Sequence, residues 1–174
     1  MADLTARQQR LLNMLTDERE AVTGTRLAEA CAVTRQVVVH DIAVLRAAGF
    51  SILSTPRGYW LQSSESKDAR RTHILAVCHG PEKTADELYT LVDHGLTVLD
   101  VIVEHPLYGE LHGSLHLSSR KDVEWFMEQC KTAGAMFLSS LTDGHHLHTV
   151  AYPSQQRLQE AISELRRNGI EVFE

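Results

Sequence analysis

Nine of the ten histidines in this 174-residue chain lie beyond residue 71, and three of those stand where strand-like runs begin or end. His79 follows the apolar run Ile74–Cys78, while His146 and His148 lie in Asp143-Gly144-His145-His146-Leu147-His148, which opens another. Side chains two apart on a strand share a face, so His146 and His148 project together and Leu147 is expected to turn to the core. Glu87, eight residues past His79, falls in the first turn of a predicted helix. Three imidazoles and a carboxylate form a donor set suited to a divalent ion such as zinc, nickel or iron, and four protein ligands leave an octahedral ion two open positions. A carboxylate ligand could fill those. Each residue also has a plain reading. Thr84-x-x-Glu87 spells a capping box, which alone accounts for a Glu at that position. His145 and His148 suit an exposed loop, His112 and His116 the solvated face of an alternating strand, and His105 a turn before Pro106.

A second constellation lies near the N-terminus. In Thr34-Arg35-Gln36-Val37-Val38-Val39-His40-Asp41-Ile42-Ala43-Val44-Leu45-Arg46, the residues Val38, Ile42 and Leu45 recur at helical spacing. If they face inward, Arg35, Gln36, Val39, His40 and Arg46 face outward. Arg and Gln in a first turn match guanine and adenine edges in the major groove, and Val39 suits a thymine methyl. Thr34 and the helix N-terminus suit a phosphate.

Helices and strands are arranged to present these residues. Leu4, Leu11, Leu12 and Leu15 predict a first helix ending near Asp17, and a second begins at Thr23 and carries Leu27, Ala28 and Cys31. A short turn through Ala32-Val33, where Gly is commoner than Ala, leads to the third helix, which Gly49 stops. That spacing is a helix-turn-helix. Phe50–Leu53 and Tyr59–Leu61 then predict a hairpin wing with Arg57 at its tip. Downstream, strand, helix, the strand pair Leu96–Glu104 and Glu110–Leu117, a helix over Ser119–Ala133, the segment Met136-Phe137-Leu138, a strand near His146–Tyr152, a helix and a final short strand alternate. The fold class is α+β: a winged helix-turn-helix joined to an α/β-layered domain with a mixed sheet, related in outline to split βαβ folds. Polar residues around Gln62–Asp68 predict a linker, giving domains at 1–62 and 72–174 with 63–71 between.

Charge divides the same way. The chain carries a formal −6, which distributes as +2 over residues 1–71 and −8 over 72–174. Every cation up to residue 62 is Arg, whose planar fork suits phosphate oxygens and guanine edges. Three widely spaced cysteines without a CxxC argue against a disulfide framework or thiolate zinc site. The absence of a long apolar run or a signal-like N-terminus predicts a cytoplasmic protein with no membrane span.

Taken together, the Thr34–Arg46 segment, Asp100-Val101-Ile102-Val103-Glu104-His105-Pro106-Leu107-Tyr108-Gly109-Glu110 and Ser139-Ser140-Leu141-Thr142-Asp143-Gly144-His145-His146-Leu147-His148-Thr149 resemble the niacin-responsive transcriptional repressors. Those proteins join a winged helix-turn-helix of the biotin-repressor type to a ligand-sensing 3H domain. The resemblance spans nearly the whole chain. It implies a homodimer that binds operator double-stranded DNA, nicotinic acid as co-repressor at the 3H domain, and control of niacin transport and NAD biosynthesis genes. It also implies a metal site on His79, Glu87, His146 and His148. The chain departs from the family pattern at Gly80, Asp143 and His145, and the last of these offers an alternative ligand to His146. The nicotinate ring is expected near His105 and Tyr108. Two other readings compete: a metal-dependent enzyme, with Glu104 or Asp100 as base, and a regulator that senses the metal itself.

Overall fold

Three threonines set the N-terminal helices. The side chains of Thr5, Thr23 and Thr34 accept hydrogen bonds from the N–H groups of Gln8, Arg26 and Val37, capping α1 (Ala6–Asp17), α2 (Gly24–Cys31) and α3 (Arg35–Ala47). In the computed structural model, which describes residues 4–18, 20–62 and 71–173, the chain divides into two units, 1–68 and 69–174. The first closes with a wing of β1 (Ile52–Thr55) and β2 (Gly58–Leu61), antiparallel with Ile52 opposite Leu61. Leu11, Leu15, Leu27, Val38, Ile42 and Leu45 fill its core. These are the periodic apolar positions of the sequence. The wing turn is tighter than expected, with only Pro56 and Arg57 between the strands.

Two features of this unit were not legible. Ala32, between α2 and α3, adopts a left-handed conformation with φ 53° and ψ 44°, the backbone that a Gly there would adopt without strain. Asp41 lies on the inner face of α3 and is fully buried. Its carboxylate accepts from Arg7 Nε at 2.5 Å and Nη2 at 3.1 Å, and from Gln8 Nε2 at 3.1 Å. This fork ties the third helix to the first.

The second unit comprises β3 (Arg71–Cys78), a 3-10 turn at Pro81–Lys83, α4 (Thr84–Asp93), β4 (Thr97–His105), β5 (Gly109–Leu117), α5 (Arg120–Ala133), a 3-10 turn at Leu138–Thr142, β6 (His145–Tyr152), α6 (Gln155–Arg167) and β7 (Glu171–Phe173). Strand order is β5-β4-β6-β3-β7. The expected mixed sheet is antiparallel at every pairing. β3 and β4 run in the same direction, joined through α4, yet β6 lies between them and pairs antiparallel with both. The unit is thus a split βαβ arrangement, as outlined from the sequence. Leu88, Leu91, Val123, Leu158 and Ile162 bring all three helices onto one sheet face; on the other, Ile74 is 60% and Phe173 49% exposed. Arg71, assigned to the linker, instead opens β3 opposite Tyr152 because the sheet ladder starts there. The rest of the expected linker, 63–70, lies outside the described residues.

Replacing Ala32 with Gly relieves the left-handed strain and is expected to raise the stability of the N-terminal unit by about 1 kcal/mol in urea unfolding. The fork from Arg7 holds the Asp41 carboxyl below its ordinary pKa, against the opposing effect of burial. The resulting stabilisation is complete above about pH 4, the ordinary carboxyl range, and is lost as the pH falls through the depressed value. In Asp41→Asn this acid-sensitive component should disappear from stability measured between about pH 2 and 5.

Candidate functional site

The end of β3, the first turn of α4 and the start of β6 converge. Gly144, at φ 90°, makes this possible, because a Cβ there would lie 2.3 Å from the His79 carbonyl oxygen. The turn after His79 then feeds the chain into α4, whose N-cap is Lys83, with no side-chain capping bond. Thr84-x-x-Glu87 therefore does not form the capping box that its spelling allows. Glu87 is fully buried and turned instead toward the histidines. Thr84 Oγ1 and Glu87 Oε1 are the buried side-chain atoms without a hydrogen-bond partner among the described residues.

Glu87 Oε2 lies 2.7 Å from His79 Nε2 and 3.3 Å from His146 Nε2, and Glu87 Oε1 lies 3.4 Å from His148 Nε2. All four residues are buried. Neighbouring rings are nearly perpendicular, at 80° for His79 with His146 and 88° for His146 with His148, so their edges converge rather than stack. On the far side of each ring Nδ1 donates to a backbone carbonyl: Gly80 for His79 at 2.8 Å, Gly144 for His146 at 2.8 Å, and Asp100 for His148 at 2.6 Å. Those bonds place the proton of a neutral ring on Nδ1 and leave Nε2 as a lone pair.

Three such lone pairs around a carboxylate are electron-rich with nothing to bind, unless the rings take up protons or a cation sits among them. Without a cation, the carboxylate favours protonation of His79 and His148. Burial opposes this at His79 and His148, but the Glu87 carboxylate outweighs it and raises both pKa values above their ordinary range. Glu87 responds reciprocally: burial alone would raise its pKa, while the charge of His148 and the bonds from the three rings hold it well below the carboxylate norm. Donors of one ion bound at about 2.1 Å lie roughly 3.0–3.4 Å apart; the Glu87 oxygens lie 2.7 to 3.4 Å from the three Nε2 atoms, and ligand atoms of His79, Glu87 and His146 lie within 4.8 Å of one another, with His148 at the margin of that group. The donor set and its orphaned oxygen fit a divalent ion. The burial pattern also corrects one expectation: His146 and His148, not Leu147, face the helix-covered core, because they pair with Val77 and Leu75 of β3. Leu147 is half-buried on the opposite face.

His145 is exposed and stacks on Phe173, with ring centroids 6.1 Å apart, so the strand turns it away from the cluster. His105 and Tyr108 are paired with each other at 5.0 Å on the β4–β5 hairpin, and Tyr108 is 70% exposed. Asp100, considered as a base, is instead a brace: its carbonyl orients His148 and its Oδ1 accepts the Thr149 N–H at 2.8 Å. No sequence signal marks this role, since it depends on the partner strand. Glu104 is exposed on the sheet.

In the N-terminal unit, Thr34, Arg35, Gln36, Val39 and His40 all lie exposed on the outer side of α3, with Val39 at 50%. Arg57 occupies the wing turn. Arg46 is exposed as well, but its guanidinium reaches β1. Residues 72–174 match the model of the 3H domain, and residues 7–60 that of an HTH domain. The chain belongs to the 3H-domain transcription repressors. The repressor is 39% identical over 165 residues to "Transcription repressor NadR" of Bacillus subtilis (strain 168), covering 94% of this chain and 92% of that one. It is 40% identical over 173 residues to "Probable transcription repressor NiaR" of Thermotoga maritima, covering 98% and 97%. It is a DNA-binding regulator and not an enzyme, which removes the reading with Glu104 or Asp100 as base. No helix among the described residues is long and apolar enough to cross a membrane.

Replacing Arg35 or Gln36 with Ala is expected to cost the repressor about 1–3 kcal/mol of discrimination between its operator and unrelated DNA. Competition binding would measure it; a uniform loss over all sequences would mean that these side chains grip the backbone instead of reading bases.

Proposed function

We propose that this repressor holds a divalent ion, nickel, zinc or iron, on His79, Glu87, His146 and His148, and that nicotinic acid is its co-repressor. In this reading a homodimer in the cytoplasm binds operators of niacin transport and NAD biosynthesis genes when nicotinate is abundant. The observation that carries it is the set of three Nδ1–carbonyl bonds, which aim three Nε2 lone pairs at one buried carboxylate. Protein-bound His ligands in metal centres are oriented by such outer bonds. The metal, when bound, supplies a Lewis-acid site for a carboxylate.

Nicotinate is a one-ring anion, so it needs a positive centre for its carboxylate and apolar cover for its ring. The groove of about 360 Å³ on the uncovered sheet face has an apolar floor that includes Ile102 and Leu147, but Glu104 and Glu110 also line it. Its charge disfavours an anion. The metal side suits one better, and the His105–Tyr108 ring pair on the hairpin offers an aromatic surface. Co-repression then requires that nicotinate bind more tightly to the DNA-competent geometry, in which a dimer sets its recognition helices about 34 Å apart. Linkage makes operator DNA raise nicotinate affinity by the same factor.

The test is metal analysis of the purified repressor followed by operator binding with metal and nicotinate varied separately. The expected result is about one divalent ion per chain, lost in His148→Ala with the fold retained by circular dichroism, and DNA affinity that rises with nicotinate only in the metal-loaded protein. Undiminished metal content in His148→Ala would move the site elsewhere. Full affinity with metal alone, unchanged by nicotinate, would identify the ion itself as the signal.

A further inference from the structure

Arg46 has the residue type and the exposure of a DNA contact, and the helix periodicity places it on the outer side of α3. Its hydrogen bonds give it another task. Nε donates to the Ile52 carbonyl at 2.7 Å and Nη2 to Ser54 Oγ at 2.8 Å, so two points of the planar fork are committed to one strand of the wing. We propose that Arg46 is a positioning residue that fixes the wing against the recognition helix, and that it acts on DNA binding through the wing and not by gripping the DNA.

Strand geometry explains why an arginine is needed here. The Gln62 N–H donates to the Ser51 carbonyl at 2.9 Å. Carbonyls alternate in direction along an antiparallel strand, so the next one, that of Ile52, points away from β2. Among the described residues the wing sheet has two strands, so this carbonyl lies on its edge, and the Arg46 Nε satisfies it. The Ser54 hydroxyl lies two residues further along the same strand and completes the attachment.

The wing is secured on its other side by backbone alone. Val22 and Tyr59 exchange N–H···O bonds of 2.8 Å in both directions, which joins β2 to the chain entering α2. Gly58 allows this approach, since a Cβ there would lie 2.2 Å from the Val22 carbonyl oxygen. The attachment of β1 to α3 differs. Apart from the Phe50 N–H bonded to the Leu45 carbonyl at 3.1 Å, its hydrogen bonds come from the Arg46 side chain. An isolated two-stranded hairpin is marginal in water, so its direction follows from these ties together with the packing of Ile52, Tyr59 and Leu61 on the helical core. Ile52 is buried in the helical core and Tyr59 and Leu61 pack against it, so removing the Arg46 tie loosens β1 beyond Ile52, toward Ser54 and the turn, while the core, which Arg46 does not enter, stays packed.

A phosphate contact and a brace leave different marks in the salt dependence. Losing a phosphate contact lowers the slope of log affinity against log salt by about one, because one fewer counterion is released. Losing a brace weakens binding without that change. The experiment uses the full chain, a duplex selected by the wild-type protein from random-sequence DNA, and fluorescence anisotropy over a salt series at a temperature where each variant is folded. Arg46→Ala should bind about tenfold more weakly with its salt slope preserved. Arg46→Lys, which keeps the charge but not the fork, should recover little of the loss. Ser54→Ala, which removes a partner of the fork and no charge, should also weaken binding, and the Arg46→Ala/Ser54→Ala pair should be no weaker than Arg46→Ala alone. The proposal is overturned if the slope falls by about one and Lys restores affinity. It is equally overturned if Ser54→Ala is silent, or if Arg46→Ala loses affinity only at temperatures where it unfolds. Should Arg46→Ala fail to fold at all, Ser54→Ala decides the matter by the same readout.

Discussion

The second unit is organised around one buried carboxylate. An ionised Glu87 removed from water carries a desolvation cost that only charged or hydrogen-bonding partners can offset. The fold surrounds it with His79, His146 and His148. To do so it brings β6 beside β3, starts α4 without a side-chain cap, and brings Gly144 against the His79 carbonyl. A structure built only for stability would do better with apolar side chains in that place. The polar cluster, with its rings oriented from behind by three carbonyls, has the form of a site that fits a cation.

The helix-turn-helix unit meets a similar constraint and answers it differently. Asp41 is as deeply buried as Glu87, but Arg7 and Gln8 satisfy it fully, so no further partner is called for. The effect is positional. With Asp41 anchoring the inner face of α3 to α1, the outer face with Arg35, Gln36, Val39 and His40 is left exposed. The wing is likewise attached on both sides, through Tyr59 and through Arg46. Three polar anchors thus set the reading surface while the apolar core supplies most of the driving force.

Several readings failed for reasons that lie in the nature of sequence patterns. Period-two spacing placed His146 and His148 on one face, yet it cannot say which face is inside, and polarity then assigned the core to Leu147. The pairing of both histidines with the buried Glu87 carboxylate overrode polarity. Thr84-x-x-Glu87 matched a capping box in spelling, but Glu87 turns to His79 and the Thr84 hydroxyl makes no hydrogen bond among the described residues. Asp41 falls on the helix face of Val38, Ile42 and Leu45, but its polarity argues against burial and the partners that allow it are more than thirty residues away. The mixed sheet was inferred from alternation of strands and helices, which does not reveal that β6 would insert between β3 and β4.

Local chemistry was determined by the sequence itself. Threonine caps, the apolar stripes of α1 and α3, the β4–β5 hairpin and the uneven division of charge and histidine follow from short-range rules of backbone and side chain. They named the four residues that converge. Only the tertiary structure decided that those residues meet through Nε2, that His145 does not join them, and that Arg46 serves the wing. Each of these depends on which carbonyl or ring a distant strand presents. That depends on register and strand order, which long-range packing fixes and no local spacing encodes.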